Sequence, residues 1–157
     1  MKNNVHYTYK TPYGIITIES DGSSVTSIKT DEHIKSSGKK LADNLTDEAA
    51  KQLNEYFEGK RKKFDLPLNP YGTGFQKSVW KALEKIPYGE TRSYKEIATS
   101  IGNPNACRAV GLANNRNPIW IVIPCHRVIG TNGALTGYGG GIDMKQKLLN
   151  LEKEAIK

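Results

Sequence analysis

The chain changes its pattern of apolar residues across 64–74, a segment rich in proline and glycine. Before it, three segments alternate apolar and polar residues as half-buried strands do: 6–10, 15–19 and 25–28. After it, apolar residues recur at helical spacing. The sequence therefore predicts an α+β fold, with a small antiparallel-sheet domain over 1–70 and a mostly helical domain over 75–157.

Capping residues and glycines predict where the helices begin and end. Thr46, followed by acidic residues, opens a helix that Gly59 closes, whereas the polar segment 31–43 before it predicts a loop. Beyond the proline-rich segment, the predicted helices cover 75–86, 93–101, 105–115 and 143–155. The second of these begins with a capping box, Ser93-Tyr94-Lys95-Glu96.

Two of these helices have the form of a helix-turn-helix, because only Gly102-Asn103-Pro104 separates 93–101 from 105–115. Helical hairpins also occur in proteins that never touch DNA, so the motif alone leaves a structural role open.

The distribution of charge along the chain favours a DNA-binding role for the helical part. Residues 75–157 carry 12 Lys and Arg against 6 Asp and Glu, whereas residues 1–74 carry 11 against 10. A basic domain attracts polyanions such as nucleic acid.

The composition argues against several other classes of protein. No apolar run approaches the roughly 20 residues that span a bilayer, and no signal peptide is evident at the N-terminus. The two cysteines, Cys107 and Cys125, do not make a disulfide scaffold. We therefore expect a cytoplasmic protein with no membrane partner.

The run from Ile121 to Gly130 places Cys125 after a proline and before two potential cations, His126 and Arg127. The apolar residues ahead of the proline predict a strand that ends at the proline and presents the thiol beside these potential cations. Nearby positive charge lowers the pKa of a thiol, and the thiolate is the reactive nucleophile. The alternative is that Cys125 is a small buried hydrophobic residue, as most free cysteines are.

A nucleophilic cysteine needs a base and a group that orients the base. Neighbours in a strand point to opposite faces, so His126 reaches Cys125 only through a kink or a bridging water. Glu152 on the last helix is a candidate to orient the imidazole, and an exposed helix glutamate is the alternative. Asn117, just before Pro118, can bond to backbone as turn residues do.

The stretch Ile123-Pro124-Cys125-His126-Arg127-Val128-Ile129 resembles the active-site signature of the methylated-DNA–protein-cysteine methyltransferases, also called O6-alkylguanine-DNA alkyltransferases. Other segments follow in the order and spacing of that family: Gly89-Glu90-Thr91, Ser93-Tyr94, Gly102-Asn103-Pro104, Arg108-Ala109-Val110-Gly111, Asn117-Pro118, Gly137-Tyr138, and Lys145 to Leu149 with Glu152. Together these matches cover residues 75–153. The resemblance implies a ribonuclease-H-like N-terminal domain and direct repair of alkylated DNA.

The resemblance also implies a role for each residue around the sulfur. Cys125 takes the alkyl group from O6 of guanine by in-line displacement and keeps it, so each molecule turns over once. His126 removes the thiol proton through a water, and Glu152 holds the imidazole. Asn117 braces the turn that joins the recognition helix to the cysteine. Activity on O4-alkylthymine is left open.

An alkylated O6 atom lies on the Watson–Crick edge inside the base stack, so the nucleotide must be flipped out before it can react. By the resemblance, Arg108 enters through the minor groove and fills the vacated space, while Tyr94 crowds the 3′ phosphate and promotes rotation. The small residues Ala109 and Gly111 let the helix approach the groove closely. Ser93 belongs to the same predicted DNA surface.

A pocket for the flipped guanine is implied as well. Its predicted lining is Tyr94, Trp120, Val128, Tyr138, Gly139 and Lys145. The amide of Gly139 borders the base, and the carbonyl of Val128 accepts from its exocyclic amine. Gly139 stands where several relatives carry serine, which removes a hydroxyl and keeps the backbone donor. Asn114, near the pocket wall, is at a position that varies among relatives, so the size range of alkyl groups is open.

The expected partner is double-stranded DNA containing O6-alkylguanine, bound by a monomer. Some relatives hold a structural zinc ion through the N-terminal part. Here that part contains only His6 and His33 and no cysteine, so we expect no metal and no other cofactor.

Other classes of function compete with this prediction. A non-reactive lesion-binding relative keeps the DNA surface but lacks the acceptor cysteine, and the presence of Cys125 argues against it. A cysteine hydrolase would use Cys125, His126 and Glu152, but it needs an oxyanion hole and leaves Arg108 without a role. A transcription regulator fits the helix-turn-helix and leaves the cysteine motif unexplained.

Overall fold

The structure is a computed structural model that describes residues 4–30, 38–134 and 141–155. The chain divides into two units, residues 1–71 with 118–120 and residues 72–117 with 121–157. The first contains a sheet and the second is mainly helical, so the predicted α+β class is confirmed. Within the described ranges, no helix combines the length and the apolar character that crossing a membrane requires.

The N-terminal unit is a four-stranded sheet with one helix packed on it. The strands are β1 (Val5–Thr11), β2 (Gly14–Ser20), β3 (Val25–Lys29) and β4 (Lys39–Lys40), in the spatial order β3-β2-β1-β4. The first three pair antiparallel, whereas β4 runs parallel to β1. Helix α1 (Asn44–Phe57) covers the sheet. The buried core consists mainly of Ile16, Ile18, Val25, Ile28, Leu53 and Tyr56.

Two predictions for this unit are wrong in detail. The polar segment 31–43 is not all loop, because β4 pairs with the start of β1. Helix α1 begins at Asn44 rather than near Thr46, since the Asp43 carboxylate accepts from the Thr46 amide at 2.8 Å and the Thr46 hydroxyl accepts from the Asp43 amide at 2.9 Å. Thr46 is therefore the inner half of a capping box.

The C-terminal unit contains the predicted helix-turn-helix. Its elements are α2 (Gly74–Glu84), β5 (Arg92–Ser93), α3 (Tyr94–Ser100), α4 (Cys107–Asn115), β6 (Val128–Ile129) and α5 (Ile142–Ala155). Helices α3 and α4 pack on each other and on α2. Strand β5 leads into α3, and β6 follows Arg127. Their parallel pairing, Arg92 with Val128 and Ser93 with Ile129, brings the start of α3 close to the cysteine segment.

Candidate active site

Cys125 lies in a tight turn and not in a strand. Pro124 has φ −81° and ψ 65°, and the Cys125 amide donates to the Ile123 carbonyl at 2.8 Å, which is the geometry of an inverse γ-turn. A 3₁₀ turn then covers Cys125–Arg127. The prediction of an extended strand is wrong here because the chain turns at the proline. With three residues per turn, neighbouring side chains no longer point to opposite faces.

Two asparagines at the end of α4 hold this turn from both sides of Pro124. The Asn117 side-chain amide donates to the Ile123 carbonyl at 2.8 Å, and the Asn114 side-chain amide donates to the Cys125 carbonyl at 3.3 Å. Both side chains are buried. The turn that carries the sulfur is therefore attached to the same helix that carries Arg108.

A strained residue precedes the turn. Ile121 has φ 74°, a left-handed conformation that is a genuine outlier for a β-branched residue. Such strain costs about 1–3 kcal/mol and is found most often near functional sites. Ile121 is 1% exposed, so packing around it holds the conformation. No pattern in the sequence indicates this feature.

Burial dominates the electrostatics of the Cys125 thiol. Cys125 is 2% exposed, and this burial raises the pKa of its thiol to about 11, although the Asn117 side chain and the positive charge of Lys145 act to lower it. The expectation that adjacent cations lower this pKa overall is wrong, because the effect of burial outweighs the groups that lower the pKa. The charge of Arg127 is paired with Glu152. At rest the sulfur is a neutral thiol, so it could act as a nucleophile only after a base removed its proton.

His126 and Glu152 form a buried pair beside the sulfur. The Nε2 atom of His126 lies 2.6 Å from Oε2 of Glu152, and the two side chains are 0% and 1% exposed. The alternative of an exposed helix glutamate is therefore wrong. Burial lowers the pKa of His126 against the opposing effect of Glu152, so the imidazole is neutral. A carboxylate only accepts, so Nε2 carries the proton and Nδ1 is the basic nitrogen.

Arg127 holds the Glu152 carboxylate ionised. Its Nε and Nη2 atoms donate to Oε1 at 2.8 Å and to Oε2 at 3.0 Å, while Nη1 donates to the Ile86 carbonyl at 2.8 Å. The Gly89 amide adds a bond to Oε1 at 3.1 Å. Burial raises the pKa of Glu152, but the hydrogen bonds of His126 and Arg127 and the charge of Arg127 outweigh it and hold this pKa well below its usual range. Sequence reasoning treated Arg127 only as a neighbour of the thiol and missed this contact.

Lys145 is a second buried cation in the site. It is 0% exposed, and its Nζ atom donates to the carbonyl of Val128. Burial lowers the pKa of this lysine, while Cys125 raises it. The carbonyl that was expected to accept from the guanine amine therefore already has one donor, although a carbonyl oxygen has two lone pairs.

The predicted DNA surface lies on α3 and α4. Ser93 caps α3 through its side chain, and Tyr94 is half-buried beside Gly111, where an added methyl group would meet the Tyr94 ring at 3.8 Å. Arg108 and Ala109 are exposed on α4.

Leu112 also lies exposed on α4, one turn after Arg108, and was not among the residues predicted from the sequence; its side chain is 54% exposed. Its spacing of four residues from Arg108 was the available signal, because i and i+4 share a helix face.

The other predicted pocket residues are not assembled by the described structure. Tyr138 and Gly139 lie outside the described residues. Trp120 belongs to the N-terminal unit, where its amide donates to the Ile28 carbonyl at 3.0 Å. The roles of all three stay predictions. Within the described residues, no group of three or more His, Cys, Asp or Glu is placed to hold a metal ion.

Comparison with known families identifies both parts of the chain. Residues 74–154 match the DNA-binding domain of 6-O-methylguanine DNA methyltransferase, and residues 4–70 match the ribonuclease-like domain of the same family. The chain belongs to the 6-O-methylguanine DNA methyltransferase family. The ribonuclease-like assignment of the N-terminal part is thereby confirmed, and the family resemblance of the cysteine motif with it.

Individual members of the family are similar to this chain over most of its length. A methylated-DNA–protein-cysteine methyltransferase of Mycobacterium tuberculosis is 51% identical over 153 residues, which cover 95% of this chain and 93% of the relative. One from Methanosarcina barkeri is 68% identical over 110 residues, 70% of each chain. The crystal structure of Mycobacterium tuberculosis OGT in complex with DNA has a TM-score of 0.91 at 50% identity, and it covers 96% of this chain and 94% of that one.

Proposed function

We propose that this chain repairs DNA by moving the alkyl group of O6-alkylguanine onto Cys125, once per molecule. One observation carries the proposal: the Cys125 thiol is buried, and the next residue, His126, is hydrogen-bonded to Glu152 at 2.6 Å. A cysteine that served only in packing would have no use for a neutral, oriented imidazole in the next position. The names of the relatives support the same reaction.

The chemistry is an in-line displacement at the alkyl carbon. The Cys125 sulfur forms an S–C bond while the C–O6 bond breaks, and O6 keeps the electron pair of that bond. The thiol proton leaves toward Nδ1 of His126 through a water, because Nε2 already donates to Glu152. The displaced guanine anion takes up one proton at N1 and becomes ordinary guanine, while the His126 imidazolium loses the proton it took from the thiol, so the protons balance. Water does not cleave the resulting thioether, so the thiol is not regenerated.

A thiol with a raised pKa suits a protein that reacts once. A standing thiolate would react with oxidants and other electrophiles in the cell before it met a lesion. Here Cys125 is buried and protonated at rest. The thiolate forms when the substrate is bound, and Lys145 and the Asn117 side chain, which both lower the thiol pKa, stabilise it.

Access to a buried sulfur requires that the alkylated nucleotide leave the double helix. The exposed face of α4, with Arg108, Ala109 and Leu112, supports a role for this helix in the groove. The excess positive charge of residues 75–157 supports binding to phosphates without sequence preference, as a repair protein needs. In this proposal, Arg108 fills the space left by the flipped nucleotide, and Tyr94 and Ser93 contact the backbone.

The test is a stoichiometric transfer assay with a duplex containing one O6-methylguanine. The protein should gain one methyl group, located on Cys125 by peptide mass spectrometry, and should then be inactive. Cys125→Ala should bind the duplex and transfer nothing. Cys107→Ala is the matched control, because Cys107 is the other free cysteine and is partly exposed; this variant should react as the unaltered protein does.

Three results would contradict the proposal. Binding without transfer would indicate a non-reactive lesion-binding protein. Multiple turnovers would indicate a hydrolase. A methyl group on Cys107 would show that the sulfur had been assigned wrongly.

A further inference from the structure

Asn114 has a buried side-chain oxygen that no atom of the described structure satisfies. The residue is 1% exposed and is next to last in α4. Its Nδ2 atom donates to the Cys125 carbonyl at 3.3 Å. This contact fixes the orientation of the amide, since a carbonyl can only accept. The Oδ1 atom is then a buried acceptor with no hydrogen-bond partner among the described residues.

Bracing of the turn does not by itself explain an asparagine at this position. Asn117 already attaches the turn to the end of α4 through a shorter bond of 2.8 Å. An unsatisfied buried acceptor destabilises the fold, and an apolar residue of similar size would avoid that cost. A buried unsatisfied group in a native protein is explained by strain, by an ordered water or ion, or by a role at a reactive centre. The contact of Asn114 with the Cys125 carbonyl places it at the reactive centre, which favours a ligand that supplies the missing bond.

The chemistry of the substrate identifies the donor. Alkylation at O6 removes the proton from N1 of guanine, so O6, N1, N3 and N7 all accept. The exocyclic 2-amino group is then the only N–H donor on the base. It carries two N–H bonds. The Val128 carbonyl, which the family resemblance implies as an acceptor for this amine, already accepts a hydrogen bond from Lys145.

We propose that Oδ1 of Asn114 accepts a hydrogen bond from the 2-amino group of the flipped O6-alkylguanine. Asn114 is then a specificity-determining residue, because it favours a 2-aminopurine over lesions that lack the amine, such as O4-alkylthymine. The proposal rests on the proposed function, since it names the group by which that same site recognises its base.

The test compares two substrates that differ only in the amine. Single-turnover rates are measured with duplexes that contain O6-methylguanine or O6-methylhypoxanthine, for the unaltered protein and for Asn114→Leu and Asn114→Ala. A neutral hydrogen bond corresponds to roughly a two- to tenfold effect on rate. The unaltered protein should prefer O6-methylguanine, and both variants should lose roughly two- to tenfold of that preference.

Two further variants separate the acceptor from other roles of the residue. Asn114→Asp keeps an oxygen acceptor and should keep the preference. Asn115→Leu makes the same chemical change at the next position, which is exposed, and should leave the ratio of the two rates unchanged.

Each outcome can be told apart from the others. If Asn114→Leu or Asn114→Ala slows both substrates equally, Asn114 only braces the turn and the proposal is wrong. If Asn114→Asp also loses the preference, the bond from Nδ2 to Cys125 is responsible, and the proposal is again wrong. An unaltered protein that transfers from both bases with no preference would overturn it as well. If the unaltered protein transfers from neither base, the proposed function itself fails.

Discussion

At the scale of single residues, Glu152 connects the parts of the site. Its two oxygens accept from His126, from Arg127 and from the Gly89 amide, so the carboxylate cannot rotate without breaking several bonds. A charge buried to this degree is stable only when such bonds compensate its lost hydration. The same contacts that stabilise the fold therefore determine which nitrogen of His126 carries the proton, and the proposed reaction uses the other nitrogen as the base.

The raised pKa of Cys125 predicts a loss of stability in alkali. Its ordinary value of 9.0 rises to about 11 in the folded protein, so the folded state holds the thiol proton more tightly than the unfolded state does. The contribution of the Cys125 thiol to the free energy of unfolding is fully present below pH 9 and is lost as the pH rises to about 11. The loss should be about 3 kcal/mol, at 1.36 kcal/mol per unit of pKa.

The measurement is the free energy of unfolding by urea between pH 8 and pH 11, for the unaltered protein and for Cys125→Ala. Tyrosines and lysines titrate in both proteins, so the difference between the two curves isolates the thiol. That difference should change above pH 9 in the direction of a less stable unaltered protein. Parallel curves would show that burial does not hold the proton on Cys125.

At the scale of elements, α4 connects the predicted DNA surface to the turn that carries Cys125. One side of the helix exposes Arg108 and Leu112, and its last turn holds the cysteine turn through Asn114. The Trp80 indole donates to the Ala113 carbonyl at 2.9 Å and fixes the end of the helix against α2. A shift of α4 on DNA would therefore move the sulfur with it.

The exposed Leu112 should contribute to binding of duplex DNA. Minor-groove proteins commonly place apolar side chains against the groove, and half-burial of a leucine contributes about 1 kcal/mol. Leu112→Ala should weaken the affinity for a lesion-containing duplex by roughly fivefold. The rate with free O6-benzylguanine should not change, because that substrate needs no groove.

The matched control is Leu41→Ala. Leu41 is 57% exposed and Leu112 is 54% exposed, but Leu41 lies in the N-terminal unit. Its replacement should leave both measurements unaltered. Equal losses of affinity in the two variants would show that Leu112 has no specific role in binding DNA.

At the scale of the whole molecule, the positive charge is unevenly distributed between the two parts of the chain. Residues 75–157 hold twice as many basic as acidic side chains, whereas residues 1–74 are nearly balanced, with 11 against 10. Binding to phosphates releases condensed counterions, so the affinity for DNA should fall steeply with salt. The unit that contains Cys125 should supply most of that dependence.

This distribution predicts a change in the salt dependence of DNA binding. Replacement of Lys95 and Arg116, which are exposed on α3 and at the end of α4, by alanine should reduce the slope of log K against log salt. The change should be about 2, at roughly 0.9 for each phosphate contact. Lys62→Ala with Lys63→Ala removes the same charge from the N-terminal unit and should leave the slope unaltered. If the two double variants change the slope equally, the salt dependence does not come mainly from the unit that contains Cys125.

Local patterns predicted much of the fold because the forces involved act over a few residues. The alternation in 15–19 predicted β2, and the Ser93 capping box predicted the start of α3. The start of α1 was misplaced because Asp43 and Thr46 both satisfy capping rules, and only the folded chain shows which is outside the helix. Strand β4 was missed because its two residues pair with β1 and carry no signal of their own.

The sequence alone determined the family of this chain, since the motif around Cys125 and the segments on either side follow that family's order and spacing. The residue types by themselves left a packing cysteine and a cysteine hydrolase open. Only the tertiary structure decided how those residues are charged and where they point. The thiol pKa is raised and not lowered because burial outweighs local charge, and Arg127 stabilises Glu152 because α5 folds back onto the cysteine turn. Burial and long-range contact depend on residues distant in sequence, so no local pattern reports them.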